Sequence, residues 1–170
     1  MDAGRGRGAE PEMCRLHDIV RAACAEFAGT AEAQAVAIDT QVADEIELPL
    51  ERARMERVFL NLIDNALKYG MGGSSRIIDL SARQVGETIE ICVADHGAGI
   101  STLDRERVTG RFVRLENSRS RPGSGLGLSM VAAIARLHHG ELKLEDNAPG
   151  LRVILSLPLL QERPSLEMRD

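Results

Sequence analysis

Three short stretches carry residue types that ordinary structure would not demand at those positions. The first is Asn61-Leu-Ile-Asp64-Asn65-Ala-Leu-Lys68-Tyr69. In a helix, Asn61, Asn65 and Lys68 fall on one stripe, flanked by Arg57 and Asp64. Asn is a mediocre helix former, and a solvated face normally uses Glu, Lys and Arg. An amide oxygen can ligate Mg²⁺ while a neighbouring Lys meets a phosphate. A plain exposed face, or an Asn pair capping a nearby loop, explains the stripe equally well. The second stretch is Asp95-His96-Gly97-Ala98-Gly99-Ile100. Asp95 continues the parity of Ile89, Ile91 and Val93, which points its carboxylate toward the core side. A buried carboxylate is costly unless a donor meets it, and an adenine amino group is such a donor. Gly97 and Gly99 would let backbone approach a flat ligand closely. Taken alone, Asp95 capping its own loop is the simpler explanation. The third stretch, Gly123-Ser-Gly125-Leu126-Gly127-Leu128, opens a helix. Its exposed backbone N–H groups suit phosphate oxygens, although a hinge would also use glycines. It is neither a P-loop nor the dinucleotide fingerprint, because the lysine and the spacing are missing.

The elements that must position these stretches follow from periodicity. A first helix is predicted over about 16–28, with Leu16, Ile19, Val20, Ala23 and Phe27 on one face. A short strand follows near 35–40. A second helix over about 50–69 buries Met55, Val58, Phe59, Leu62, Ile63 and Ala66, and Gly70, Gly72 and Gly73 stop it. Strands over about 75–83 and 88–95 alternate with period two, so one face of the sheet is covered and the other is wet. A third helix covers about 127–139, and strands over 141–145 and 151–157 flank a turn at Asn147-Ala-Pro-Gly150. Residues 100–125 lack periodicity, and a stretch of that length inside a compact domain is usually functional. Residues 1–13 read as a disordered leader, 14–160 as the domain and 161–170 as a polar tail.

The chain has 170 residues, 44% of them hydrophobic and 28% charged, which suits one globular domain. Three Phe, one Tyr and no Trp leave few stacking platforms, and a net charge of −5 is the wrong sign for a phosphate-backbone footprint. Nucleic acid is therefore a poor partner, and no apolar run reaches the roughly 20 residues that direct membrane insertion needs. Cys14, Cys24 and Cys92 lack metal-site spacing and read as reduced thiols of a cytoplasmic protein. His138-His139 closes the third helix, where a cationic imidazole would be favourable.

Each stretch is a weak signal alone, but their order and separation make a joint one. Asn61 to Tyr69 resembles the N box of sensor histidine kinases, and Asp95 to Ile100 their G1 box. Arg111-Phe112-Val-Arg114 looks like the F box, and Gly123 to Ser129 is similar to the G2 box. The resemblance is to the catalytic ATP-binding domain of two-component histidine kinases, within the superfamily of gyrase, MutL and heat-shock chaperones. It covers roughly 16–160. It implies an α+β fold: a two-layer α/β sandwich with a mixed, mostly antiparallel sheet, three helices on one face and a mobile ATP lid over 100–124. It implies ATP and Mg²⁺ as cofactors, with Asn65 as metal ligand, Asn61 beside the metal and Lys68 on phosphate. By the same resemblance Tyr69, Asp95, Gly97, Gly99, Ile100 and Phe112 line the nucleotide pocket. The resemblance also implies that Gly125 and Gly127 approach the phosphates and that Gly123, Leu126 and Leu128 belong to the ATP-binding set.

The hydrolysing members resembling gyrase carry Glu at the position of Asn61. Asn is too weakly basic to activate water, so transfer to a protein acceptor fits better than hydrolysis. Catalysis would rest on Asn61, Lys68 and a lid arginine, Arg114 or Arg121, that neutralises charge. His17 lacks the Arg-Thr-Pro that follows the common acceptor histidine and reads as structural. The implied partners are a histidine-bearing dimerisation domain, in the parent kinase or in trans, and a downstream response regulator. A membrane-anchored parent kinase is compatible with all of this. Two other readings stay open: an anti-sigma-factor-type serine/threonine kinase and a non-catalytic nucleotide-gated binding module. His96 stands where the family usually has Asn or a small polar residue, and only Gly150 remains of a further glycine-rich element.

Overall fold

A computed structural model describes residues 10–73, 75–98 and 126–160. Among them the chain runs β1 (Glu12–Arg15), α1 (Leu16–Ala33), β2 (Ala37–Gln41), β3 (Glu47–Leu50), α2 (Arg52–Tyr69), β4 (Ile77–Val85), β5 (Thr88–Ala94), α3 (Leu126–Leu137), β6 (Glu141–Asp146) and β7 (Leu151–Pro158). Five strands form one sheet in the order β2-β4-β5-β7-β6, and β1 and β3 form a separate antiparallel pair. Only β2 runs parallel to its neighbour; the other pairings in the large sheet are antiparallel. The expected mixed, mostly antiparallel sheet with three helices is the fold observed.

Register explains the layering. Leu80, Val93, Val153 and Leu144 lie side by side across four strands, and so do Ala82, Ile91, Leu155 and Leu142. These rows pack against the buried helix faces: Leu16, Ile19 and Val20 of α1, Met55, Phe59 and Ile63 of α2, Val131 and Ala135 of α3. The intervening residues, such as Ser81, Glu90, Cys92 and Ser156, remain partly accessible on the opposite face.

Three features differ from the sequence reading. β1 and β3 have no clear sequence signal, because each is four residues long and Pro49 interrupts the pattern. β1 also draws Glu12 and Met13, read as leader, into strand structure. α1 runs past Gly29 to Ala33 because buried Ala31 and Val36 hold its last turn. It closes with Val36 N–H donating to Ala31 O at 2.8 Å and Ala35 N–H to Glu32 O at 3.0 Å, with Ala35 at φ +53°. α3 ends in the same way: Gly140 N–H donates to Ala135 O at 2.8 Å and His139 N–H to Arg136 O at 3.0 Å, with His139 at φ +58°. Both are Schellman closures with a side-chain-bearing residue in the left-handed position usually held by Gly.

Candidate functional site

The site lies where the end of α2, the loop after β5 and the start of α3 meet. α2 buries its apolar stripe and leaves Asn61 and Asn65 partly accessible beside α3. A Cβ added at Gly127 would lie 3.5 Å from Asn65 Nδ2, 3.8 Å from Asn65 Oδ1 and 3.9 Å from Asn61 Oδ1. The fold therefore brings two of the three sequence stretches together, with α3 backbone facing both amides. Lys68, one turn further along α2, holds its Nζ 2.9 Å from Asp64 Oδ2. That hydrogen bond raises the lysine pKa and keeps it cationic. Tyr69 closes the helix, half-buried.

Asp95 brings the second stretch to the same end of α2. It is 8% exposed. Its Oδ1 accepts Gly97 N–H at 3.0 Å and Leu151 N–H at 3.1 Å. Burial outweighs these bonds and pushes its pKa up from the ordinary 3.8. Capping of its own loop and inward orientation are thus both present. The backbone around it is packed to contact. A Cβ at Gly70 would come within 2.6 Å of Asp95 Cβ and Cγ, and one at Gly97 within 2.6 Å of Gly70. A Cβ at Gly73 would collide with His96 O, and one at Gly150 with Asp95 O. Asn147 Nδ2 donates to Asp95 O at 2.7 Å from the β6–β7 turn. His96 Nε2 lies 3.0 Å from Asp79 Oδ2, which ties the loop to β4.

Gly70, Gly73 and Asn147 pack around Asp95 and His96, where sequence reasoning took them only for helix stops and a turn residue; Gly150, the one glycine left of a further glycine-rich element, packs there too. For Gly150 the signal is φ +112°, and that is a property of the fold. Leu128 is buried at the start of α3. The expectations for Gly99, Ile100, Phe112, Arg114, Arg121, Gly123 and Gly125 lie outside the described residues, and so does the side chain of Leu126.

Among the described residues no group of three or more His, Cys, Asp or Glu side chains could hold a metal. The two Asn amides instead offer neutral oxygens, which suit a hard cation that arrives with phosphates and keeps part of its water. His138 corrects one expectation: it is no cation. Glu51 N–H donates to its Nε2 at 3.0 Å, so that nitrogen carries no proton. His17, near the start of α1, lies 3.3 Å from Asp44 Oδ1.

Residues 50–161 match the sequence profile of the histidine kinase-, DNA gyrase B- and HSP90-like ATPases. The alginate biosynthesis sensor protein KinB of Pseudomonas aeruginosa is 34% identical over 152 residues, 88% of this chain. The chain spans only 25% of KinB's length. The ATP-binding domain of PrrB from Mycobacterium tuberculosis superposes with a TM-score of 0.71 at 25% identity, covering 89% of this chain and 98% of that one. The catalytic domain of histidine kinase ThkA superposes with a TM-score of 0.77 at 18% identity, covering 90% and 99%, and shows the shared fold. Profile, relative and fold agree with one another: the chain belongs to the histidine kinase-, DNA gyrase B- and HSP90-like ATPase family.

Proposed function

We propose that this chain is the catalytic domain of a two-component sensor histidine kinase. It binds Mg-ATP and transfers the γ-phosphoryl group to a histidine on a separate dimerisation domain, from which a response regulator receives it. The observation that carries this reading is the approach of Gly127 backbone to Asn61 and Asn65. A Cβ-free surface facing two amides suits a phosphate chain and its cation. Asp95 offers a buried acceptor to the adenine amino group, and Gly70 and Gly97 let the backbone close tightly around that carboxylate.

Asn65 would hold Mg²⁺ with Asn61 beside it, and the metal would neutralise phosphate charge. Lys68 exchanges Asp64 for a phosphate oxygen, one anion for another. Phosphoryl transfer asks mainly for positioning and charge neutralisation, which these groups supply. The amide of Asn61 cannot take a proton from water, so the γ-phosphoryl group is kept for a protein acceptor. ATP and Mg²⁺ put this work in the cytoplasm.

The test is an ATP titration of the purified chain with and without Mg²⁺, followed by γ-labelled ATP with the parent kinase's phosphoacceptor domain. Labelled histidine is expected on the acceptor. Asn65→Ala should lower affinity in Mg²⁺ by at least about tenfold and leave Mg²⁺-free affinity alone. Rapid release of free phosphate without an acceptor, or no nucleotide binding at all, would overturn the reading.

A further inference from the structure

His138 joins the two helices that frame the phosphate side of the site. It is 2% exposed. Glu51 N–H donates to Nε2 at 3.0 Å, so the ring proton sits on Nδ1, which lies 2.8 Å from the carbonyl oxygen of Ile134. Both nitrogens are engaged, and the ring is fixed in one neutral tautomer. Glu51 is the N-cap of α2, and its side chain makes no capping hydrogen bond. In a capping box the residue three positions on reaches back to this N–H with a Glu or Gln. Here that residue is Arg54, which has no acceptor and pairs with the Glu51 carboxylate at 2.9 Å. The acceptor comes instead from beyond the last turn of α3.

The two helices run antiparallel. His138 meets α2 at Glu51, and Gly127 meets it at Asn61 and Asn65. The hydrophobic effect between helices is non-directional, whereas a hydrogen bond to a backbone N–H adds a defined axial position. Twelve residues of α3 make a rod of about 18 Å, stiff enough to carry that position from one end to the other.

We infer that His138 is a positioning residue: it sets the axial register of α3 on α2, so that α3 backbone stands opposite Asn61 and Asn65. The inference rests on reading those residues as the phosphate side of an ATP site. The test compares His138→Asn with His138→Gln. Asn places its amide near Nδ1 and keeps the Ile134 bond but leaves Glu51 N–H without an acceptor. Gln reaches the Nε2 position and restores one. ATP affinity is measured by calorimetry, adenosine affinity by NMR titration, and both well below the melting temperature of each variant. His138→Asn should weaken ATP about tenfold, the scale of one buried group left unpaired, while adenosine stays within about twofold. His138→Gln should hold ATP within about threefold of wild type. Nitrogen-15 spectra of the wild type should show a neutral ring protonated at Nδ1.

A folded His138→Asn that binds ATP like wild type would overturn the inference. So would equal weakening of ATP and adenosine, which marks a residue of stability alone. Should His138→Asn fail to fold, the spectrum and His138→Gln decide: a proton on Nε2, or ATP weakened more than about threefold with adenosine unchanged, overturns it. Wild type that binds adenosine but not ATP would remove the underlying phosphate-side reading.

Discussion

Asp95 carries its charge into a site where burial is the largest influence on it, stronger than the N–H groups of Gly97 and Leu151 together. A carboxyl whose pKa is raised by folding favours the fold fully below its unfolded value and loses that contribution as pH climbs through the folded value. At neutral pH the ionised form therefore costs stability. Asp95→Asn keeps the Oδ1 acceptor without the charge. It should melt higher than wild type at neutral pH, and the difference should vanish below about pH 3.8. The same variant should bind adenine nucleotides at least about tenfold more weakly, because an amide rotated to keep Oδ1 on the backbone turns a donor toward the adenine amino group. Titration of adenosine affinity against pH should show a loss that begins above the ordinary carboxylate range. At Gly127 an added Cβ meets its nearest atom at 3.5 Å, an ordinary contact. Gly127→Ala should thus fold, gain up to about 1 kcal/mol of helix propensity and still weaken ATP, a split that melting and calorimetry together would reveal. Asp95 and the Asn61–Asn65 stripe are legible in the sequence because each breaks a local rule: an inward carboxylate, and amides in a helix. Asn147 and Gly150 break none, since a turn explains them, and only the three-dimensional approach to Asp95 gives them another role.

At the level of elements, α2 and the β4–β5 pair are legible because their periods are long and unbroken. The end of α1 is not. Gly29 looks like a terminator, yet a Cβ there would meet nothing within 4 Å, and the helix continues to Ala33. Tertiary packing of Ala31 and Val36 overrides local propensity. The consequence is a reciprocal pair of stabilising changes. Gly29→Ala should add about 0.5–1 kcal/mol by removing glycine from a helix interior. Ala35→Gly should add about 1 kcal/mol by relieving the left-handed backbone at φ +53°. Urea midpoints at constant slope would record both, and a loss from Ala35→Gly would show that this closure carries no strain. His138 shows the opposite limit of legibility. Its place near a helix end is readable, but its partner, the N–H of Glu51, lies 87 residues away in sequence.

For the whole molecule, the sheet order is the feature least available from sequence. The parallel pairing of β2 with β4 and the placing of β7 between β5 and β6 depend on contacts between distant segments. Alternation identifies a covered face but not a neighbour. The central β5–β7 pair, from Thr88↔Pro158 to Ala94↔Arg152, closes a long loop that includes residues 99–125. The entropy of closing such a loop grows only with the logarithm of its length, about 0.6 kcal/mol for each doubling. Ten Gly-Ser residues inserted between Ala98 and Leu126 should accordingly shift unfolding free energy by less than about 1 kcal/mol, while phosphoryl transfer falls steeply. A large fall in stability would mean that this segment contributes to the fold itself. Chain length between Ala98 and Leu126 can therefore drift over evolution at little cost in closure entropy, while the sheet beneath stays in register.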